Sequence, residues 1–266
     1  MPIECFFDVE KISKSCFHEI DYSVMRHVFD VQNELGRFYQ EKIYQSEVVH
    51  RCGQEGMNVV AEGEIVVSLD SFRKSFFIDA LMNRGALYEM KAVESLAGNH
   101  ESQLLNDMFL IGLKEGKLVN FSSPSVQHRF VSTTTDSAAR FAYSVDDSEW
   151  GRGSESGRKL SEIVRMILAE WGAYLDVNLY REAVIHFLGG EGKVCSSIEI
   201  MVGGRVAGQH VLPLLDRASC LHVSSIVSHL QQYRKHLARF LSHTNLCRIQ
   251  WINFQRNEIQ LITLEK

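Results

Sequence analysis

Apolar residues recur along the first half of the chain with two different periods. Helical spacing alternates with shorter apolar runs that are typical of strands. The pattern changes at Gly36, which separates two helical stretches. Together these patterns predict helices at 22–35, 39–51 and 100–111 and strands at 64–69, 117–121 and 127–132. This order of elements indicates a mixed α/β fold.

A β-hairpin is predicted within residues 74–94. Two strand-like runs, 76–82 and 86–93, are separated by Asn-Arg-Gly, three residues that favour turns. Gly85 comes last in this loop and is expected in the left-handed conformation. If the loop closes symmetrically about Arg84, the register of the two strands is fixed.

That register places two acids and one lysine on the same face of the hairpin. Asp79 lies opposite Glu89, and Lys91 shares their face because side chains alternate along a strand. Like charges directly opposite one another are destabilising, and a divalent cation held by both carboxylates would compensate. The alternative is a solvated polar face with an ion pair from Lys91 to either acid. The apolar neighbours favour a buried site, where acids need partners.

Composition limits the class of protein. The chain has 266 residues, 45% of them hydrophobic, which is enough for one large or two ordinary domains. Its six cysteines are scattered without a CxxC pair, so neither a zinc ribbon nor a disulfide framework is indicated. No apolar run reaches 18 residues, and the N-terminal sequence lacks the order of a signal peptide. We therefore expect no membrane association and a cytoplasmic location.

Charge is distributed unevenly between the two halves. The formal net charge is −5, which is not typical of a nucleic-acid-binding protein. Residues 1–135 carry 19 acidic and 13 basic residues, whereas 136–266 carry 14 and 15. Any phosphate-binding surface is therefore expected to be local or to come mainly from the second half.

Several polar residues outside the hairpin complete an ordered set. In chain order the set is Gly36, Glu41-x-x-Tyr44, Asp79, Glu89-x-Lys91, Gln103 and Asn120-Phe121. It resembles the GxxExxY protein family, a branch of the PD-(D/E)xK nuclease superfamily, over about residues 18–135. The sequence departs from the family at 36–40, where Gly-Arg-Phe-Tyr-Gln replaces the usual run of small residues that include glycine. It also departs at Ile78, where a basic residue is common. The resemblance implies a restriction-endonuclease-like mixed sheet flanked by helices.

The resemblance also implies metal-dependent phosphodiester hydrolysis. Asp79 and Glu89 would hold Mg²⁺, with Mn²⁺ as an alternative, and Lys91 would position the attacking water or stabilise developing negative charge. Glu41 would add a ligand directly or through water, and Gln103 would orient the water or a phosphate. Among the remaining polar residues, Tyr44 is interpreted as a packing tyrosine, and His100 as a surface residue.

The second half repeats the order of the first. Gly36 and Tyr44 align with Gly172 and Tyr180, 136 residues later, and the segment 119–121 aligns with 252–254. We infer a tandem duplication with a nuclease-like domain at 1–135, a linker rich in Ser, Gly and Asp at 136–159, and a degenerate domain at 160–266.

The second copy lacks the charged residues of the first. At an offset of 134, Asp79, Glu89 and Lys91 align with Pro213, Val223 and Ser225. The fold can therefore persist without the site.

A basic helix is predicted near residues 228–243 of the second copy. It carries Arg234, Lys235 and Arg239, which are candidates for contact with a phosphate backbone; the alternative is a solvated amphipathic face. Two hypotheses for the whole chain follow. One is a Mg²⁺-dependent nuclease acting on DNA or RNA, as a monomer with an internal pseudo-dimer or as a homodimer. The other is a non-catalytic nucleic-acid-binding or protein-interaction module.

Overall fold

The chain divides into two compact units after Ala138. The computed structural model describes residues 2–151 and 153–266, so Arg152, within the predicted linker, lies outside the described residues. None of the helices in the described chain combines the length and apolarity needed to cross a bilayer.

The first unit is a six-stranded sheet with helices. In chain order its elements are β1 (Ile3–Cys5), α1 (Lys14–Leu35), α2 (Glu41–Gln54), β2 (Val59–Leu69), β3 (Phe72–Met82), β4 (Ala86–Lys91), α3 (Gly98–Ile111), β5 (Glu115–Asn120) and β6 (Gln127–Ser132). The strands lie in the order β1 to β6, and all neighbours are antiparallel except β4 and β5, which are parallel. Because parallel strands need a crossover, α3 connects them.

The two faces of β4 have different environments. Tyr88 and Met90 belong to the apolar core that α1 and α2 form with the sheet. Glu89 and Lys91 point to the other face, because side chains alternate along a strand. A Cβ added at Gly116, which pairs with Leu87 across the parallel strands, would lie 2.9 Å from a side-chain atom of α3. The face that carries Glu89 is therefore the α3 face.

The predicted helices and strands of this half are present, several with wider bounds. The first helix begins at Lys14 rather than near Tyr22, and the Ser13 hydroxyl caps it by accepting a hydrogen bond from Cys16 N. It ends at Gly36, whose φ of 75° is readily adopted by glycine. The break between the first two helices is thus confirmed.

The hairpin loop differs from the prediction in one respect. Asn83 and Arg84, not Gly85, adopt positive φ angles of 46° and 62°. Gly85 is required for another reason: a Cβ there would lie 2.6 Å from the Ile12 side chain and 2.8 Å from the carbonyl oxygen of Glu10. The N-terminal segment therefore packs directly on the loop, and glycine is needed for this close approach.

The second unit contains two sheets. Its elements are a 3₁₀ turn (Ala139–Phe141), β7 (Ser144–Glu149), α4 (Glu155–Trp171), α5 (Val177–Phe187), α6 (Glu191–Val194), β8 (Cys195–Val202), β9 (Arg205–Pro213), β10 (Ser219–Ser224), α7 (Leu230–Ser242), β11 (Arg248–Gln255) and β12 (Glu258–Glu265). One sheet has the order β10-β11-β12-β7, and β8 pairs with β9 in a separate hairpin. Strands β10 and β11 are parallel, and α7 connects them.

The segment 136–159, predicted as a linker, contains regular structure. Strand β7 lies within it and pairs in parallel with β12, and α4 begins at Glu155. The polar composition of β7 suggested a loop, but this strand forms the edge of its sheet and is largely exposed. An edge strand tolerates polar side chains because only one side of it is hydrogen-bonded within the sheet.

Each unit holds its first two long helices together with a buried tyrosine. In the first unit, the Tyr44 hydroxyl donates to Gly36 O (2.9 Å), accepts from Tyr39 N (3.1 Å), and its ring stacks on Phe121. In the second unit, the Tyr180 hydroxyl donates to Gly172 O (2.7 Å) and accepts from Leu175 N (3.3 Å). Its ring stacks on Phe254, with 4.3 Å between the ring centroids.

Each unit also has a buried asparagine beside the end of its parallel strand pair. Asn120 accepts a hydrogen bond from Val93 N and donates to Val93 O and to Gln127 Oε1. Asn253 accepts from Ile226 N and donates to Ile226 O and Gln260 Oε1. In both units one side chain therefore satisfies the backbone that follows the strand.

Candidate active site

The candidate site lies where β3 and β4 separate. The two strands pair through Ala80 with Tyr88 and Leu81 with Leu87, the register expected for closure about Arg84. The ladder stops before Asp79, and Asp79 Oδ2 instead accepts a hydrogen bond from Met90 N at 2.7 Å. A carboxylate thus occupies the position where a backbone carbonyl would continue the sheet.

Three carboxylates surround the ammonium group of Lys91. Its Nζ lies 2.5 Å from Glu89 Oε1, 3.5 Å from Glu41 Oε1 and 3.9 Å from Asp79 Oδ2. The contact with Glu89 is an ion pair without the angles of a regular hydrogen bond. The structure therefore brings together four of the five residues proposed from the sequence for metal binding or catalysis.

The site is buried rather than a solvated polar face. The side chains of Glu89 and Lys91 are 1% and 11% exposed, and that of Asp79 is 16% exposed. The ion pairs expected for the polar-face alternative are present, but except for Glu41, which is 40% exposed, their side chains are largely shielded from solvent. Charges in such a place interact more strongly than at a surface, and each costs more to leave unpaired.

Burial and mutual repulsion shift the ionisation of the two acids. Burial, followed by the charge of Asp79, raises the pKa of Glu89, although the ammonium of Lys91 opposes the shift and favours the ionised carboxylate. Burial also raises the pKa of Asp79, against the hydrogen bond from Met90 and the charge of Lys91. Burial disfavours the ammonium form of Lys91, but the neighbouring carboxylates outweigh it and raise the pKa of Lys91. The lysine therefore retains its charge.

Helix α2 contributes two side chains from its first turns. Glu41 Oε2 accepts a hydrogen bond from Ala92 N at 3.3 Å, so this acid contacts both the backbone after β4 and Lys91. Gln45 is buried and donates a hydrogen bond to Asp79. The sequence reasoning missed Gln45, although its position four residues after Glu41 places the two on the same helix face.

Helix α3 places a different residue near the site from the one predicted. Gln103 is exposed and has no hydrogen bond to the acids or to Lys91 among the described residues. Asp107, one turn later, is buried and raises the pKa of Glu89 through its charge. The structure therefore does not place Gln103 in the cluster. Asp107 follows Gln103 by four residues and therefore lies on the same face of α3, so the helical spacing could have indicated it.

Two further residues considered from the sequence have structural roles. Tyr44 is fully buried in the helix packing described above. The Nδ1 atom of His100 accepts a hydrogen bond from Ala97 N at 3.1 Å, so its ring caps the start of α3. Neither residue contacts Lys91 in the described structure.

The three basic residues proposed for nucleic-acid contact lie on α7 of the second unit. Arg234 forms an ion pair with Glu149, with 2.5 Å between Nη2 and Oε2. Lys235 and Arg239 are exposed. Part of the positive charge of α7 is thus neutralised within the unit, and two residues are left for a partner.

The acids of the first unit suit an ion whose ligands come partly from the protein and partly from water and substrate. Within the described ranges, no cluster of three or more His, Cys, Asp or Glu side chains is arranged to hold a metal. Asp79 and Glu89 supply carboxylate oxygens, and Mg²⁺ is commonly held by one or two carboxylates with water and substrate phosphate completing its shell. Glu89 Oε1, buried without a regular hydrogen bond, is an oxygen that such an ion would satisfy.

Comparison with protein-family models gave a match within the first unit. Residues 18–131 match the model of the PD-(D/E)XK nuclease superfamily. Searches of curated proteins and of solved structures gave no match. The mixed sheet flanked by helices is consistent with the restriction-endonuclease-like fold, and the family match indicates a nuclease.

Proposed function

We propose that the first unit is a metal-dependent nuclease that hydrolyses phosphodiester bonds of nucleic acid. The observation that carries this proposal is the convergence of Asp79, Glu89 and Glu41 on the buried ammonium of Lys91. Asp79 and Glu89 are the proposed ligands for Mg²⁺ or Mn²⁺. The bound ion would supply Lewis-acid activation of the phosphate and a lower pKa for its water. The order of these residues also supports the narrower GxxExxY relationship.

The residues of the chain would orient the reactants. Met90 N fixes one oxygen of Asp79, and Gln45 donates to the same carboxylate, so its rotamer is held. Lys91 would donate a hydrogen bond to the attacking water or to the phosphate and would stabilise the negative charge that develops there. Glu41, the most exposed of the three acids, would contact the ion through water. Gln103 stays a prediction as a residue that orients phosphate.

The second unit is proposed to be a degenerate copy of the first. Its tyrosine and asparagine contacts repeat those of the first unit atom for atom, and Asn120 and Asn253 are 133 residues apart. The bridge between Leu214 and Cys220 repeats the pairing of Leu81 with Leu87 at the same offset.

This offset of 133 replaces the 134 used for the sequence alignment. It aligns Asp79 with Leu212, Glu89 with His222 and Lys91 with Ser224, instead of Pro213, Val223 and Ser225. A slip of one residue exchanges the two faces of a strand, so the offset of 133 pairs different side chains from the offset of 134. The conclusion that the second copy lacks both acids and the lysine is unaffected.

The second unit is also proposed to assist in binding nucleic acid. Lys235 and Arg239 would contact phosphates, and Arg234 would contribute less because Glu149 already pairs with it. DNA and RNA are both compatible with this surface. The cytoplasmic location and the monomeric or homodimeric state stay predictions.

A non-catalytic binding module is the second candidate function. It is favoured by the position of Lys91, which already balances the charge of the acids in the described structure. Under this alternative, metal ions would neither bind nor promote cleavage.

Metal-dependent cleavage tests the two candidates. We expect single- or double-stranded DNA or RNA to be cut by the wild type with Mg²⁺ or Mn²⁺, and Asp79→Asn to lose about 100-fold or more of this rate. The ion should also raise the melting temperature of the wild type but not of Asp79→Asn. Glu94→Gln is the matched control, because Glu94 is exposed and outside the cluster. Absence of both cleavage and a metal-induced shift in the wild type would favour the binding module.

A further inference from the structure

A cavity of about 290 Å³ lies in the second unit between α7 and the strands β9, β10 and β11. Its volume lies just below the roughly 300–1,000 Å³ of small-molecule pockets, so it suits one small ring system. The side chains that form most of its wall are Leu212, His222, Tyr233, His236, Leu237 and Phe240.

Aromatic rings form much of the cavity wall. Phe240 lies edge-to-face with His210, with 5.7 Å between the ring centroids, and Tyr233 contributes a third ring. Among the described residues that line it, none is Asp, Glu, Lys or Arg. Aromatic walls favour a planar ring ligand, because flat faces stack with offset geometry.

Hydrogen-bonding groups lie inside this apolar wall. His222 Nε2 and the Tyr233 hydroxyl are 2.7 Å apart. Burial, followed by the charge of Arg181, lowers the pKa of His222 to about 4, so its imidazole is neutral near pH 7. A neutral imidazole offers one donor and one acceptor, and the hydroxyl can also do both. These groups match the edge of a polar heterocycle better than a hydrocarbon chain.

The cavity lies at the place that corresponds to the candidate active site. At the offset of 133, Leu212 replaces Asp79, His222 replaces Glu89 and His236 replaces Gln103. Leu212 and His222 thus stand where the first unit has two acids, and both line the cavity. Lys235 and Arg239, both exposed, are on the same helix as Tyr233, His236 and Phe240.

We propose that this cavity binds one unpaired base of a single-stranded nucleic acid, with Phe240 and Tyr233 stacking on the base and Lys235 and Arg239 contacting the adjacent phosphates. The inference rests on the proposed function, since the base belongs to the strand that the first unit acts on. Stacking of bases on aromatic side chains beside a basic groove is an established way to hold single strands. The second unit would therefore position substrate with little dependence on sequence.

Binding of labelled octamers tests this site in the full chain. The cleavage-deficient Asp79→Asn protein is titrated into a fluorescein-labelled single-stranded DNA octamer and into an octamer of the same length made of abasic residues. We expect the base-containing octamer to bind about tenfold more tightly, and Phe240→Leu, which keeps an apolar side chain without the ring, to remove the difference. Arg239→Gln is the matched control, because it should weaken binding of both octamers equally.

A second variant covers the case in which Phe240→Leu does not fold. His236 is exposed at the rim, so His236→Ala should fold normally and reduce the preference for the base-containing octamer. Equal affinity for the two octamers, no binding of either, or full preference in folded Phe240→Leu would each overturn the proposal. Binding of decanoate that depends on Phe240, without a preference between octamers, would identify an aliphatic site and also overturn it.

The outcome for the nuclease is separate. Base-preferring binding together with no cleavage by the wild type would retain the cavity and reject the proposed catalysis. Cleavage by the wild type with equal binding of both octamers would retain the proposed catalysis and reject the base-binding cavity.

Discussion

The two units use similar strands, turns and helices, but differ where β3 and β4 or their counterparts β9 and β10 separate. In the first unit, Glu89 and Lys91 form a buried ion pair at that place. In the second, His222 contacts Tyr233 beside an apolar cavity. The stacked tyrosine and the asparagine that holds the strand end are present in both. The contacts that hold each unit together are therefore distinct from the charged residues of the first unit.

The largest expected difference in cleavage rate is between substitution of Lys91 and substitution of Ser224, the residue aligned with it in the second unit. Lys91→Ala is expected to lower kcat/KM for nucleic-acid cleavage about 100- to 1,000-fold, because a donor aimed at developing charge is removed. Ser224→Ala should leave the rate at the wild-type level, since the Ser224 hydroxyl donates to Asn253 and accepts from Trp251, both within the second unit.

Stability has to be separated from chemistry in this experiment. Removing Lys91 leaves buried acids without their partner, which destabilises by about 3–5 kcal/mol in comparable pairs. Lys91→Arg keeps the charge and should remain folded by thermal denaturation while losing most activity, because a guanidinium does not reproduce the ammonium geometry. Full activity in Lys91→Arg would argue that only charge balance matters here.

Substitution of the two buried tyrosines tests whether they stabilise the two units in the same way. Tyr44→Phe and Tyr180→Phe each remove one hydroxyl that donates to a carbonyl and accepts from an N–H group. We expect losses of about 1–2 kcal/mol for Tyr44 and about 3 kcal/mol for Tyr180, whose hydrogen bonds are fully buried. Hydrogen exchange followed by mass spectrometry reports the opening free energy of each unit. If only one of the two variants lowered the opening free energy of its own unit, the two tyrosines would not have equivalent roles.

Acid should destabilise the second unit through His222. The pKa of His222 is lowered from 6.5 to about 4, so between these values the unfolded chain binds more protons than the folded one. Stability is therefore retained above pH 6.5 and lost as the pH falls toward 4, by about 2 kcal/mol at pH 5. Urea unfolding followed by tryptophan fluorescence at pH 7 and pH 5 measures this loss. Glutamine does not titrate in this range, so His222→Gln should lose about 2 kcal/mol less stability than the wild type between pH 7 and pH 5.

Most of the first unit could be predicted from its sequence because local patterns and tertiary structure agree there. Alternation along the hairpin and its short loop fixed the register that brings Asp79 and Glu89 together. The conformation of the loop was not predicted correctly, because the requirement for Gly85 comes from residues 10–12, which are distant in sequence.

Other features depend on tertiary contacts. Gln103 stays a prediction, whereas the turn of α3 that faces Glu89 carries Asp107. Gln45 required knowledge of how α2 approaches the sheet. In the second unit, the apolar runs align with those of the first almost equally well at offsets of 134 and 133. Among the described contacts, the hydrogen bonds of Asn253 and the bridge at Leu214 favour the offset of 133 under the proposed duplication.

The ammonium of Lys91 has a consequence for any ion that enters the first unit. This tethered group already serves as a resident cation for the carboxylates, so metal binding is an exchange rather than an addition. A monovalent ion would bring no more charge than the ammonium it displaces and would have little advantage in this competition. A divalent ion brings twice that charge, so under the proposed function the ammonium of Lys91 would favour divalent over monovalent ions and would raise the concentration needed to load the site.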